Sequence, residues 1–532
     1  MNFIFYDFET TGRNSTWDQI IQVGAILTNE NLEEIDTFEK ECILKPGTVP
    51  EPGALMVTYK IPGKWAPEKH LSHYSFVKLM WEKFSDWKNN YDPIAFIGYN
   101  SINFDEEFLR RALYKNLFDP LLTTKYNFGV PGKRGDIINL ARTVNIFYPG
   151  TLKTTFNEKG KEVYKLDELA PANAVMGEDF MFHDALEDVK ATIEIARIIK
   201  NGAPILWDSA LKTMHKKDVL KFINDEEFLL SSEFYFGTLR TYVVASICEG
   251  PKGGLKVFDL RNDPSQFVGL EYQELKKIIS EAKPKIIRSI VINKSPILMP
   301  PEPEFVCSVV GYENIGTEEL SRRAKILKEN IQLNSQLKRL ISEDVRDEVQ
   351  DQSDKEPEEC IWNFGFASAQ EKALMTKFHS SDWKGKLEIA DHFQNLQTND
   401  YNTLQRYKIY SEFARLIVYE EKPEILSEEL KAKIRKKLAD RIFYPDTDTV
   451  RSPWNNSNRA HMQIEKMGNE IEEEGKIYWK NEVPMCVLSK LPTKECNLHK
   501  ESTKCDCFEY DFLCKTKDLI DEIENEYKDL KF

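Results

Sequence analysis

Phe3-Ile4-Phe5-Tyr6-Asp7-Phe8-Glu9-Thr10-Thr11-Gly12 reads as a short buried strand that carries two carboxylates at i and i+2. The alternation of a strand puts Asp7 and Glu9 on one face. Two like charges held together in a buried setting are costly unless a cation sits between them. Hard oxygen ligands of this kind suit Mg²⁺ or Mn²⁺. Asp-x-Glu alone is a common pair, so the reading turns on which other acidic groups the chain brings to the same place.

Two further segments matter. Ile94-Ala95-Phe96-Ile97-Gly98-Tyr99-Asn100 is a second buried strand, and it runs through Ser101-Ile102-Asn103-Phe104 to Asp105. Glu106 to Leu113 then has the apolar spacing of an amphipathic helix, which puts Asp105 at a strand-to-helix junction. Ligand groups gather at such junctions in α/β folds, although an aspartate there also serves as an ordinary helix cap. Farther on, Phe182-His183-Asp184-Ala185-Leu186-Glu187-Asp188-Val189 opens a long helix, with His183 and Asp188 five residues apart. Standing alone, that pair is a capping histidine and a solvent-facing carboxylate.

Taken in order, the three segments resemble the histidine-containing branch of the DEDD superfamily of 3′→5′ exonucleases. The matching residues are Asp7 and Glu9, Asp105 after Gly98-Tyr99-Asn100, and His183 with Asp188. The resemblance implies an α/β fold built on a ribonuclease H-like mixed β-sheet. It also implies two Mg²⁺ ions per site, with Mn²⁺ able to substitute, about 3.5–4 Å apart across the attacking and leaving oxygens. In that family Asp7 would bridge the ions, Glu9 and Asp188 would serve the one that activates water, and Asp105 the other. His183 would act as general base, a task its intrinsic pKa near ~6.5 suits.

To about residue 445 the chain resembles, more narrowly, bacterial exonuclease I, which degrades single-stranded DNA processively. Glu51-Pro52-Gly53-Ala54-Leu55-Met56-Val57-Thr58 matches that family's proline-glycine loop, and Lys165-Leu166-Asp167-Glu168-Leu169 its basic residue before Leu-Glu-x-Leu. Leu230 to Gly237 resembles the opening of its SH3-like domain, and Ile286 to Leu298 a later strand of that domain. The expected organisation is an exonuclease domain over 1–202, an SH3-like β domain with flanking helices over 203–342, and an acidic linker over 343–359. An α-helical C-terminal domain follows over 360–445, and 446–532 is a cysteine-bearing tail without assignment. The resemblance places Glu9, Lys165, Arg110 and Arg142 against substrate, and Lys276, Lys277, Lys283, Lys285 and Arg288 in a second basic cluster. Lys165 stands where arginine is usual, so a forked phosphate contact becomes a point charge. The resemblance also implies a partner, the acidic tail of single-stranded DNA-binding protein, with Arg322, Arg323 and Lys325 as candidates; Tyr148 replaces one arginine of that surface.

Net charge is −15, from 72 Lys and Arg against 87 Asp and Glu. That balance describes solubility more than site chemistry, and a local basic track can run between acidic flanks. The acid-rich stretch 342–359 reads as a solvated linker without a ligand. Nothing approaches the ~18–20 apolar residues of a membrane span. A start directly in a core strand leaves no signal peptide, and nine scattered cysteines suit a reducing compartment. A cytoplasmic monomer without a membrane partner is therefore expected. Cys42, Cys248, Cys307 and Cys360 are expected to fill core space. Cys496-x₂-His499-x₅-Cys505-x-Cys507, with Cys486 and Cys514 nearby, has the ingredients of a zinc site without the usual paired knuckles. Lys517 to Tyr527 is expected to be an amphipathic helix. Three functions remain open: a 3′→5′ exodeoxyribonuclease on single-stranded DNA releasing 5′-mononucleotides in DNA repair, the same chemistry on RNA or in proofreading, and a non-catalytic DNA-binding scaffold. The presence of all five motif residues weighs against the last.

Overall fold

The computed structural model describes residues 1–531 except 63–70, 127–128, 176–182, 236, 251–252, 344–354, 448, 481–482 and 497–506. Its first unit is built around β1 (Asn2–Thr10), buried on both faces, which is why the strand reads as a nearly continuous apolar run. β1 pairs antiparallel with β2 (Ile20–Thr28), and β2 with β3 (Glu34–Glu41). On its other side β1 runs parallel to β4 (Ile94–Gly98), and β4 to β5 (Lys133–Asp136), giving a mixed sheet in the order β3-β2-β1-β4-β5.

Helices cover both faces. Ile4, Tyr6 and Phe8 pack with α2 (His73–Asn90) and α3 (Asp105–Lys115) through Phe76, Phe84, Phe108 and Leu109. Phe3 and Phe5 point the other way, into a core shared with α4 (Ile137–Phe147) and with Val189, Ile193 and Ala196 of α6 (Ala185–Gly202). Between α4 and α6 lies the short α5 (Leu166–Ala172). Asp7 and Glu9 continue the odd-numbered face, so strand alternation alone aims them at the helix that carries Asp188.

A second five-stranded sheet follows over Leu229–Met299, framed by helices on either side. Its strands are β8 (Leu229–Tyr235), β9 (Thr238–Glu249), β10 (Leu255–Asp259), β11 (Ile287–Ile290) and β12 (Ile297–Met299), in the order β11-β10-β9-β8-β12. Ile286 to Leu298, expected as one strand, is thus two. β11 pairs with β10 at one edge, and β12 pairs with β8 at the other. Ser295 in the left-handed region (φ 44°), followed by Pro296, turns the chain between them. Helices then dominate from Ala369 to Ile442.

The described residues beyond 446 fold onto the body. α17 (Ser457–Glu473), the hairpin β13 (Ile477–Lys480) and β14 (Val483–Cys486), and α18 (Phe508–Glu526) share one core with Leu55 and Met56 of α1 (Pro52–Thr58). The C-terminal helix thus begins at Phe508, well before the expected Lys517. Two expectations are corrected. Cys307 is exposed because it ends a short helix, whereas Cys42 and Cys360 are buried and half-buried Cys248 packs against the core. The acidic stretch is not wholly solvated: Glu358 is buried, accepts from Arg441 at 2.7 Å and is held down to about 2, with Glu356 on the same guanidinium at 2.9 Å. Among the described residues no helix is long and apolar enough to cross a membrane.

Candidate active site

Asp7, Glu9 and Asp188 each present a carboxylate oxygen, and the three oxygens lie within 4.8 Å of one another. Asp105, the first residue of α3, stands behind them; its Oδ1 accepts from the Phe8 amide at 3.1 Å. Burial, then the charges of Asp105, Asp188 and Glu9, hold the Asp7 carboxyl well above the usual carboxylate range. Burial and the charge of Asp188 raise Glu9, partly offset by Lys60. Burial raises Asp105 and pushes Asp188 up to about 7, although the His183 amide favours the Asp188 charge. Asp188 Oδ1 is a buried oxygen without a hydrogen-bond partner. Four crowded carboxylates that resist ionisation, with one oxygen orphaned, fit a divalent cation.

α6 is held against the sheet at its first turn. Asp184 caps the helix, accepting from the amides of Leu186 and Glu187, and takes the Gln22 side-chain amide at 3.0 Å. Gln22 in turn accepts from the Ala185 amide at 3.2 Å, and Lys60 pairs with Asp184 at 3.0 Å. Gly24, opposite Asp7 in the β1–β2 register, allows the approach: a Cβ there would collide with the Leu186 nitrogen and the Ala185 carbonyl. None of Gln22, Gly24, Lys60 or Asp184 was expected from sequence. The signal available was a glycine within a strand rich in β-branched residues, which marks close backbone approach.

His183 precedes the cap with φ 65°, outside the three-carboxylate group. Burial lowers its pKa, against the attraction of Asp167, while Lys165 lowers it further. The imidazole is therefore neutral, and free to accept a proton, in neutral solution.

The expected substrate cations differ in availability. Lys165 is exposed at the start of α5. Arg110 is only 13% exposed and pairs with Glu106 at 2.8 Å, and Arg142 lays its guanidinium 3.8 Å from the Phe234 ring centroid. Of the second basic cluster, Lys276, Lys285 and Arg288 line a cavity of about 840 Å³ beneath β8–β11, together with Arg240, Lys256, Tyr235 and Tyr242; Lys277 and Lys283 do not. Arg322 and Arg323 share Glu319, and Lys325 lies 3.6 Å from Glu227, so the candidate ridge for an acidic tail is largely neutralised within the chain.

Residues 4–196 match the Exonuclease family (RNase_T). The exodeoxyribonuclease I of Buchnera aphidicola from Acyrthosiphon pisum is 31% identical over 241 residues, which are 45% of this chain and 56% of that one. The chain thus spans about half the length of such curated relatives. Structural likeness reaches further, across the tail as well. A moderately thermophilic exonuclease I from Methylocaldum szegediense superposes over 98% of this chain and 99% of its own, with TM-score 0.69 and 21% identity. Escherichia coli exonuclease I in complex with a dT13 oligonucleotide does so over the same shares, with TM-score 0.68 and 19% identity. Residues 4–196 thus match the exonuclease family, in a chain whose overall fold is similar to that of exonuclease I.

Proposed function

We propose that the protein is a 3′→5′ exodeoxyribonuclease that shortens single-stranded DNA by hydrolysis to 5′-mononucleotides. The convergence of Asp7, Glu9 and Asp188, with Asp105 behind them, carries the reading. These carboxylates would hold two Mg²⁺, or Mn²⁺, which when bound supply a charged clamp on the scissile phosphate. The chain's own residues do the rest. Neutral His183 accepts the proton of the attacking water, and exposed Lys165 beside it offers a cation to the terminal phosphate. The likeness to a solved oligonucleotide complex supports a single-stranded DNA substrate, and so does a basic cavity carrying Tyr235 and Tyr242, since single strands bind on cations interleaved with aromatic rings. In this reading 203–342 is an SH3-like domain with flanking helices that guides the strand, 360–445 the helical C-terminal domain, and the chain a cytoplasmic monomer acting in DNA repair. An SSB tail remains a proposed partner, resting on the family likeness.

The test is matched 5′-labelled single-stranded DNA, duplex DNA and RNA with Mg²⁺, beside an Asp188→Ala control. Loss of the single-stranded DNA alone, abolished in the control, supports the reading; equal loss of RNA or duplex moves it to a broader exonuclease, and no loss of any substrate overturns it. The same assay has a pH arm. With Asp188 held up to about 7, protons compete with the metal, so the Mg²⁺ needed for half-maximal rate is expected to rise as pH falls below that value. In Gly24→Ala, the new Cβ would meet α6 backbone that cannot rotate away. It is expected to lose ~1–3 kcal/mol of stability and, by displacing Asp188, about 10²-fold in rate, read by thermal denaturation and steady-state hydrolysis.

A further inference from the structure

Three cysteines of the tail, carried on three separate elements, converge. Cys486 ends β14, Cys496 follows the turn Thr493–Glu495, and Cys507 caps α18. All three are fully buried, none is in a disulfide, and their sulfurs lie within 4.8 Å of one another. A tetrahedral zinc with Zn–S near ~2.3 Å needs sulfurs about 3.8 Å apart, so the three stand within about 1 Å of that face. Cysteines that merely fill a core have no reason to meet three at a time.

Backbone geometry fits a metal too. The Ser489 amide donates to Cys486 Sγ at 3.3 Å, and the Lys490 amide donates to the Cys486 carbonyl at 3.0 Å. Lys490 takes the left-handed conformation (φ 62°) to close this knuckle. Amide donors to a ligating sulfur spread its charge and fix its orientation. Cys507 sits at the N-terminus of a 19-residue helix, where a thiolate is favoured. The hairpin it would brace has only two strands, and an isolated hairpin is marginal in water.

We propose that Cys486, Cys496 and Cys507 bind one structural zinc ion that fastens the β13–β14 hairpin to α18. His499 and Cys505 lie outside the described residues. The site reaches the exonuclease domain through α18. Phe508 and Phe512 pack edge-on against Tyr59 at 5.0 and 5.5 Å, and the next residue, Lys60, pairs with the Asp184 cap of α6. The zinc therefore steadies the loop that braces the catalytic helix.

The test uses the full chain, purified without chelator and dialysed, with metal read by mass spectrometry. About one zinc per chain is expected, falling roughly tenfold in Cys486→Ser and in Cys496→Ser and unchanged in Cys514→Ser. Asp7→Asn should retain the zinc, which separates it from metal held by the carboxylates. Exchange with Co²⁺ should give the near-ultraviolet thiolate-to-cobalt absorption that carboxylate ligands cannot produce, its intensity counting the thiolates. Because the wild-type stoichiometry and spectrum do not depend on any variant folding, they decide the matter alone. Zinc-free protein with all thiols reduced, a disulfide joining two of the three cysteines, or Co²⁺ binding without that absorption would each overturn the proposal.

Discussion

Asp7→Asn is expected to fold as the wild type does and to hydrolyse single-stranded DNA at least ~10³-fold more slowly, a loss of about 4 kcal/mol in transition-state stabilisation. The change keeps the side chain's shape and removes one charge from the centre of the carboxylate group. Asp7 feels Asp105, Asp188 and Glu9 together, so a cation held there depends on it more than on any single neighbour. The same crowding predicts an opposite effect on the fold. Without metal, removing one of four mutually repelling carboxylates relieves strain, so metal-free Asp7→Asn should melt no lower than metal-free wild type. Mg²⁺ should raise the melting temperature of the wild type and leave the variant nearly unmoved. A variant that retained more than about a tenth of the rate would remove Asp7 from the chemistry.

Glu106→Ala is expected to be the most destabilising single change near the site, at ~3–5 kcal/mol. Glu106 is 1% exposed and gathers four donors: Arg134 at 2.9 Å, Arg110 at 2.8 Å, the Thr123 hydroxyl at 2.6 Å and the Tyr6 hydroxyl at 3.2 Å. Alanine would leave the Arg134 guanidinium in the interior without its counter-ion and Arg110 with Glu107 at 3.5 Å alone. The residue follows Asp105 directly and lies under β1, so the loss falls on the junction that places the fourth carboxylate. Urea denaturation of the two proteins gives the difference. A loss under about 1 kcal/mol would mean that water reaches the arginines and the network is not closed.

The legible part of the site was the part in which chemistry dictates residue type. Asp7, Glu9, Asp105, His183 and Asp188 stand out because their three segments, in this order, resemble the DEDD exonucleases, and the structure brings Asp7, Glu9 and Asp188 together. What holds them was not legible. Gln22 and Lys60 come from a second strand and a distant loop and act on Asp184, a residue whose own sequence signature is an ordinary helix cap, while Gly24 makes room for the backbone of Ala185 and Leu186. Glu106 reads as a surface acid at the start of an amphipathic helix, and only the sheet above it turns it inward. Arg110 is the reverse case. Its sequence position suggests a phosphate contact, while its guanidinium is spent on Glu106. In the tail, ligand-like spacing is irregular because the three sulfurs sit on three different elements, so no pairwise spacing announces them. The break between β11 and β12 has a similar cause: an apolar run reads as one strand, and only the turn at Ser295 shows that its halves serve opposite edges.

The product pattern from 5′-labelled single-stranded DNA, with Mg²⁺ and with a chelator, tests the carboxylate-metal nuclease most directly. Progressive shortening from the 3′ end is predicted, with release of 5′-mononucleotides, present only with metal and absent in the Asp188→Ala protein. Internal cleavage fragments, shortening that persists in the chelator, or an active Asp188→Ala protein would contradict it.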